Sequence, residues 1–283
     1  MSELFLGLNI FFMMIFALSG YMKGRLIIAK HPDATIENIH KKMRNFFIVA
    51  ILLIVIAIAI KVIDKMGSLI MIRPVWFDRY SIYIIFIILG GLVSYFFNIA
   101  VAIAYKTVHR ERNKISIATL LVILTIPIIQ WGYTKPIHST LTERSANGFI
   151  LQSSGASCVC ATGANIAGVL GIKTTEKELA KLMNTTGTGT NYGNAIYGMK
   201  QIGIACKKIY IKDSNIRLVK PPAFVSVDHI AAGSEAHSVA FMGLVDDLVE
   251  IWDPLVGKRQ YIKESDVLRF WHGRGLECQK TTI

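Results

Sequence analysis

Residues 151–172, LQSSGASCVCATGANIAGVLGI, place two thiols one residue apart where a helix is predicted to begin. The run from Cys158 to Leu170 consists mainly of small and aliphatic residues, and Gly171 follows it as a predicted C-terminal cap. The serines and the glycine before it are loop and N-cap residues. Cys158 therefore falls in the first turn, where unpaired N–H groups and the positive end of the helix dipole favour a thiolate and can also receive an oxyanion.

A nucleophilic thiolate needs an acid/base partner, and the sequence offers one downstream. His237 opens HSVAFMGLV, an alternating run that is typical of a half-buried strand. A second apolar run, 248–252, ends at Asp253, and the aspartates at 246–247 supply turn residues between the runs. A hairpin with its turn centred beside those aspartates predicts that His237 and Asp253 lie directly opposite each other on one face.

The other cysteines give weaker signals. One C-x-C without a matching pair is a poor zinc pattern, so we expect no metal site, and the proposed chemistry needs no organic cofactor. Cys158 and Cys160, two residues apart on a helix, are poorly placed to bond each other. Cys206 and Cys278 are the expected disulfide partners if the domain faces an oxidising compartment.

The first half of the chain has the composition of a membrane domain. The chain is 53% hydrophobic, and nearly all of its long apolar runs lie before residue 135. Four runs approach the roughly 20 residues that a helix needs to cross a bilayer; they are residues 3–22, 46–63, 80–104 and 115–133. We therefore predict an α-helical membrane domain of four transmembrane helices at 1–135, with the first run as an anchor, followed by a globular domain at 136–283.

The positive charge follows the membrane half. Of the net charge of +12, +9 lies before residue 136 and +3 after it, which argues against nucleic-acid binding. Ten Lys and Arg residues lie in the loops between the first and second and between the third and fourth spans, against six on the opposite side. This bias predicts that those loops are cytoplasmic and that the globular domain is extracytoplasmic (periplasmic), although the modest difference leaves the cytoplasmic side open.

The second half resembles the papain-like cysteine peptidases that process bacteriocins by cutting after a double-glycine leader, best known as the amino-terminal domain of certain peptide-exporting ABC transporters. That family has a Gln six residues before its catalytic Cys and a His sixteen residues before an Asp-Pro pair. Gln152 precedes Cys158 by six residues, and His237 precedes Asp253 by sixteen, with Pro254 next. The section GTGTNYGNAIYGMKQIGIACKKIYI also resembles the family's Gly-Thr loop, helix and strand.

The resemblance implies an α+β papain-like fold and a role for each residue. Cys158 would be the nucleophile, His237 the general base and then the acid, and Asp253 the group that orients the imidazole. Gln152 would stabilise the oxyanion together with the backbone N–H of Cys158. His229 and His272 are weaker alternatives to His237, because neither opens an alternating strand with an acid at the matching distance; a further alternative is that each site residue has only a structural role.

Two departures from the family bear on function. The family usually has Asp before the Cys and Gly after it, where this chain has Ser157 and Val159, so a side chain at 159 could narrow the approach to the thiol and alter the preference for Gly. Cys160 does not fit as the nucleophile, because Gln152 would then lie eight residues away. The membrane part precedes the peptidase part, and no Walker motif is found.

We therefore expect a membrane-anchored cysteine endopeptidase, a multi-pass protein of a bacterial plasma (inner) membrane. It would cleave a leader or precursor peptide through a Cys-His-Asp triad with a Gln oxyanion hole. A double glycine is the candidate cleavage site. The expected partners are a peptide or protein precursor, the lipid bilayer and, as a further candidate, a separate transporter. Three alternatives remain: a catalytically silent domain that binds a peptide or regulates a transporter, a hydrolase of the same fold acting on peptidoglycan or another amide, and a channel or transporter formed by the membrane half.

Overall fold

The computed structural model describes residues 2–31, 74–107, 112–146, 148–229 and 233–281. The chain divides into two compact units. They consist of Met1–Met66 with Tyr80–Thr134, and of Gly67–Arg79 with Lys135–Ile283.

Three long helices are described in the first 134 residues. They are α1 (Ser2–Lys30), α2 (Val75–Thr107) and α3 (Arg112–Thr134), and they contain the predicted spans 3–22, 80–104 and 115–133. The predicted span 46–63 lies outside the described residues. Among the described residues, two helical segments, Glu3–Lys30 and Val75–Ile103, are long and apolar enough to cross a membrane by length and composition. A domain of four spans therefore stays a prediction.

Small residues and one polar pair hold the helices of the first unit together. A Cβ atom added at Gly20 of α1 would lie 2.2 Å from the carbonyl oxygen of Tyr95 in α2, so only glycine permits this approach. The buried Asn9 amide of α1 donates to the side-chain oxygen of Gln130 in α3. Asn98 donates to the carbonyl of Ser94 in its own helix, 2.8 Å away. Asn9 thus makes a contact between two helices, whereas the Asn98 amide bonds to a backbone carbonyl within its own helix.

The second unit combines helices with an antiparallel sheet. Its helices are α4 (Cys158–Val169), α5 (Glu176–Leu182), α6 (Tyr192–Gln201) and the short α7 (Glu264–Val267). A small hairpin of β1 (Ser145–Ala146) and β2 (Phe149–Ile150) precedes α4. The main strands are β3 (Ile204–Tyr210), β4 (Ala223–His229), β5 (Gly233–Val245), β6 (Leu248–Asp253), β7 (Lys258–Lys263) and β8 (Trp271–Lys280).

The six main strands form one sheet in the order β3-β8-β4-β5-β6-β7, and every neighbouring pair is antiparallel. Two apolar clusters fill its two faces. One contains α4, α5 and α6 residues with Ala240 of β5, and the other contains Val239 and Phe241 of the same strand. Since neighbouring residues of a strand point to opposite faces, β5 is covered on both sides. This corrects the prediction of a half-buried strand: residues 237–241 are all buried, because apolar clusters cover both faces of β5.

The Gly-Thr section follows the predicted order. Its loop precedes α6, whose N-cap Asn191 accepts the backbone N–H of Asn194, and β3 comes next. The predicted helix from Cys158 to Leu170 is likewise confirmed as α4, with Leu170 as its C-cap.

Candidate active site

Cys158 is the first residue of α4 and is 7% exposed. Its neighbour Ser157 is the N-cap, but the serine side chain makes no capping bond to the helix. Instead the Ser157 hydroxyl donates to the carbonyl of Ser154 at 2.8 Å and accepts the Ser154 N–H at 3.1 Å. The Ser157 side chain therefore stabilises the loop before the helix, and it leaves the N–H groups of the first turn to other acceptors.

Two polar side chains of α4 fix the helix to its surroundings. The Thr162 hydroxyl, one turn after Cys158, donates to the carbonyl of Ser238 at 2.9 Å. Asn165, nearly another turn along, donates to the carbonyl of Ile150 and accepts its N–H, both at 2.9 Å. Ser238 directly follows His237 in β5. Because residues four apart lie on one face of a helix, the Thr162 bond also holds Cys158 beside this part of β5.

His237 lies between Cys158 and Asp253. The Cys158 side chain lies close enough to the imidazole to raise its pKa. Its Nε2 lies 2.9 Å from Oδ1 of Asp253, and this same oxygen accepts the backbone N–H of Leu255 at 2.8 Å. His237 is 7% exposed, so these contacts are shielded from solvent. The structure thus brings together the thiol, the imidazole and the carboxylate that the sequence predicted.

The β5–β6 turn is confirmed at Asp246–Asp247. Both aspartates have positive φ, at 49° and 63°, and Val245 pairs with Leu248 across them. Positive φ at both central residues is the conformation of a two-residue type I′ hairpin, which suits the twist of the strands.

The predicted direct pairing of His237 with Asp253 is nevertheless wrong by two residues. Ala240 pairs with Trp252, and continuing this register by one residue places Val239 opposite Asp253. His237 and Asp253 are therefore diagonal neighbours on one face of the hairpin. Diagonal residues of an antiparallel pair are within reach of long side chains, which explains the 2.9 Å contact.

A β-bulge sets this diagonal arrangement. The register shifts between Phe241 and Gly243, and Gly243 has φ +133°. Nearer the turn, Gly243 pairs with Glu250, and that register carried through without a shift would put Asp253 on the opposite face from His237. The one extra residue of the bulge returns both side chains to the same face.

The ionisation of the pair follows from its surroundings. Burial alone would lower the pKa of His237, but hydrogen bonds with Asp253 and Cys158, together with their charges, raise it from 6.5 to about 9. Burial likewise would raise the pKa of Asp253, but hydrogen bonds from His237 and from backbone N–H groups keep it below its ordinary value. At neutral pH the imidazole therefore carries a proton and Asp253 is a carboxylate.

Gln152 occupies the loop between β2 and α4. Its backbone N–H donates to the carbonyl of Pro254 at 3.0 Å, which places the residue beside Asp253. Its side-chain Nε2 donates to the carbonyl of Ser154 at 3.2 Å, and its Oε1 is buried without a hydrogen-bond partner among the described residues. The amide thus lies in the segment that leads to Cys158, with its donor on a loop carbonyl.

The remaining cysteines and histidines are elsewhere. Cys160 is fully buried, lies 3.0 Å from the Thr185 hydroxyl, and burial raises its thiol pKa to about 12. Cys206 and Cys278 form the expected disulfide between paired positions of β3 and β8. His272 pairs with Asp228 at 3.0 Å in a second acid–histidine contact, with 47% of its side chain exposed.

Val159, where the family usually has Gly, is partly buried and packs against the helix-side cluster. Within the described residues no group of three or more His, Cys, Asp or Glu side chains could hold a metal ion.

An α+β domain with a cysteine at a helix start and a histidine and an aspartate on a sheet hairpin defines the papain-like class of cysteine peptidases. Residues 147–283 match the sequence model of the Peptidase C39 family. The C-terminal half of the chain is therefore similar to this family, which is a family of cysteine peptidases. A comparison of the chain with curated proteins finds no match.

The solved structures that the chain is similar to include a double glycine motif protease from an AMS/PCAT transporter in complex with the leader peptide. It is 17% identical, with 50% of this chain and 97% of that chain covered and a TM-score of 0.43. The peptidase domain of Streptococcus ComA, a bifunctional ABC transporter involved in a quorum sensing pathway, is 19% identical, with 47% and 96% covered and a TM-score of 0.41. The N-terminal peptidase C39 like domain of a toxin secretion ATP-binding protein from Vibrio parahaemolyticus is 11% identical, with 44% and 98% covered and a TM-score of 0.37.

Sequence reasoning missed two residues that shape the site. Thr162 is a polar residue in an otherwise small and aliphatic helix, four positions after the thiol, and this spacing could have indicated its contact. Glu176 lies in the first turn of α5, where an acid is expected for the helix dipole, so its buried contact with the loop of Gln152 left no separate signal.

Proposed function

We propose that this protein is a membrane-anchored cysteine endopeptidase that cleaves a leader or precursor peptide. The observation that carries the proposal is the continuous chain of contacts from the Cys158 thiol to the His237 imidazole and the Asp253 carboxylate. A protonated imidazole beside a thiol at a helix start is the arrangement that activates a cysteine nucleophile near neutral pH.

The proposed reaction has two stages. The Cys158 thiolate attacks the carbonyl carbon of the scissile peptide bond, and the His237 imidazolium donates its proton to the departing amine. A water molecule, deprotonated by the now neutral His237, then attacks the thioester, and the acid product leaves as the thiolate forms again. Asp253 holds the imidazole in the orientation that both transfers need.

The oxyanion of each tetrahedral intermediate needs donors close to Cys158. The backbone N–H of Cys158 lies in the first turn of α4, where the helix itself supplies no acceptor. Gln152 is the proposed side-chain donor, and in this state its Nε2 is bonded to the carbonyl of Ser154. In the reaction the amide would exchange this neutral carbonyl for the charged oxyanion, a stronger acceptor.

The proposed substrate is a peptide with a double glycine before the cut, as the similar protease's description as a double glycine motif protease bound to a leader peptide suggests. Membrane attachment through the predicted domain at 1–135, a peptidase domain at 136–283, and a separate transporter as a partner complete the proposal. The Cys206–Cys278 disulfide and the basic loops favour an extracytoplasmic position for the peptidase domain.

The test compares Cys158→Ala with Cys160→Ala in the full-length protein in detergent. Synthetic peptides that carry a double glycine at different positions are incubated with each variant, and the products are identified by mass spectrometry. We expect cleavage by the wild type and by Cys160→Ala, and none by Cys158→Ala. Cleavage by Cys158→Ala would exclude the proposed nucleophile, and a wild type whose Cys158 reacts with iodoacetamide no faster than a free thiol would favour a peptide-binding domain.

A further inference from the structure

Glu176 is a buried carboxylate that the proposed reaction does not use. It is 1% exposed, and its Oε1 accepts the backbone N–H of Ser153 at 2.8 Å. Its Oε2 is buried and has no hydrogen-bond partner among the described residues. Burying a carboxylate with only part of its hydrogen-bonding capacity used is costly, so such a group needs an explanation.

Capping of α5 does not explain Glu176. The N-cap of this helix is Thr175, whose hydroxyl accepts the N–H of Glu178 at 3.1 Å. The carboxylate of Glu178, on the exposed side of the same turn, accepts the hydroxyl of Thr174 at 2.8 Å. Thr175 thus caps the helix and the Glu178 carboxylate binds Thr174, while Glu176 is directed toward the loop before α4.

The loop that Glu176 reaches is the one that carries Gln152. Two consecutive N–H groups there have partners on different sides: Gln152 donates to Pro254 at 3.0 Å, and Ser153 donates to Glu176 at 2.8 Å. Pro254 directly follows Asp253, so the first bond ties the loop to the sheet side of the site. The second ties it to the helix layer, and together they fix the peptide from which the Gln152 side chain extends.

We propose that Glu176 is a positioning residue that holds Gln152 in place for the oxyanion. A carboxylate acceptor makes a stronger bond to a backbone N–H than a neutral group does, so it restrains the loop more tightly. This inference rests on the proposed peptidase function, because it assigns Glu176 an effect on transition-state stabilisation that acts through Gln152.

The experiment is a double-mutant cycle in the full-length protein in detergent, with cleavage of a double-glycine peptide as the readout. Glu176→Ala is expected to lower kcat about 10- to 100-fold with little change in KM, since a small misplacement of a catalytic group has an effect of this size. Glu176→Gln retains an oxygen that can accept the Ser153 N–H and should restore most of the rate. Glu178→Ala removes an exposed carboxylate from the same turn and should leave kcat unchanged.

The decisive comparison repeats Glu176→Ala in the Gln152→Ala background. If Glu176 acts through Gln152, its removal lowers kcat no further there, because the group that it positions is already absent. An equal loss of rate in both backgrounds would overturn the proposal and assign Glu176 a general structural role.

Amide hydrogen exchange provides a readout that does not depend on cleavage. Glu176→Ala should accelerate exchange at Ser153 while the amides of α4 keep their protection, and Glu176→Gln should restore the slow exchange. Unchanged exchange at Ser153 would also overturn the positioning role. If instead exchange responds as expected and the wild type cleaves no peptide, the peptidase function fails, and with it the catalytic part of the inference.

Discussion

Replacing Asp253 with Asn tests the electrostatic basis of the site, because it removes a charge and keeps a side-chain oxygen of the same size. That oxygen can still accept the N–H of Leu255, now 2.8 Å away, so the turn should keep its shape. His237 would lose the hydrogen bond to a carboxylate and the negative charge, two of the causes that raise its pKa against the effect of burial. Its pKa should therefore fall.

The size of the effect follows from the His237 pKa of about 9 against its ordinary value of 6.5. At pH 8, roughly 90% of the imidazole is protonated with the higher pKa and roughly 3% with the ordinary one. Cleavage that requires the imidazolium as general acid should therefore be about 30-fold slower at pH 8 in Asp253→Asn. The wild-type kcat/KM should decline only as the pH rises through about 9, and the decline in the variant should begin at lower pH.

The assay is peptide cleavage by the full-length protein between pH 6 and pH 10, with kcat/KM measured at each pH. Asp228→Asn is the matched control, since Asp228 forms the other acid–histidine contact, with His272 at 3.0 Å. The control should reproduce the wild-type profile. A profile of Asp253→Asn that still declines near pH 9 would refute the claim that Asp253 sustains the charge on His237.

Three further predictions concern stability, measured by urea unfolding of the full-length protein in detergent with near-ultraviolet circular dichroism. Gly243→Ala should destabilise the protein by about 1–3 kcal/mol, because alanine is strained at the positive φ of this residue. Gly168→Ala, at an open helical position, should be neutral or stabilising. Equal effects of the two substitutions would contradict backbone strain at residue 243. Thr162→Val should cost about 1–3 kcal/mol by leaving a buried carbonyl without its donor, and it should also slow cleavage; wild-type stability would show that this bond is dispensable. Replacing Cys206 and Cys278 together with Ser should cost about 2–4 kcal/mol, and dithiothreitol should then have no further effect; a further loss with dithiothreitol would contradict this origin.

The sequence predicted the residues of the site better than their geometry. The spacing of Gln152 and Cys158 and the interval from His237 to Asp253 are local features that one chain can display, so a resemblance could identify them. The strand register depends on the bulge before Gly243, which forms through pairing with β6 and contact with the rest of the sheet. A glycine inside an apolar strand is a recognised signal of a bulge, but it does not state in which direction the register shifts.

Burial was also hard to predict from the chain alone. The alternation in HSVAFMGLV indicates a strand with one wet face, but β5 lies between β4 and β6 with apolar clusters on both sides. Glu176 shows the same difficulty, because an acid in the first turn of a helix is ordinary on an exposed surface. Only the packing of α5 toward the loop at Ser153 makes it a buried acceptor.

Three hydrogen bonds carry the geometry of the site across the boundary between the helices and the sheet. Thr162 binds the carbonyl next to His237, Gln152 binds the carbonyl next to Asp253, and Glu176 binds the loop between them at Ser153. Each bond lies one residue or one helical turn from a proposed catalytic group. Loss of any one bond therefore keeps all the catalytic groups but allows the nearby group to move from its position. Since peptide hydrolysis requires thiolate, imidazolium and oxyanion donors to meet at one carbonyl, such variants should lose kcat before they lose peptide binding.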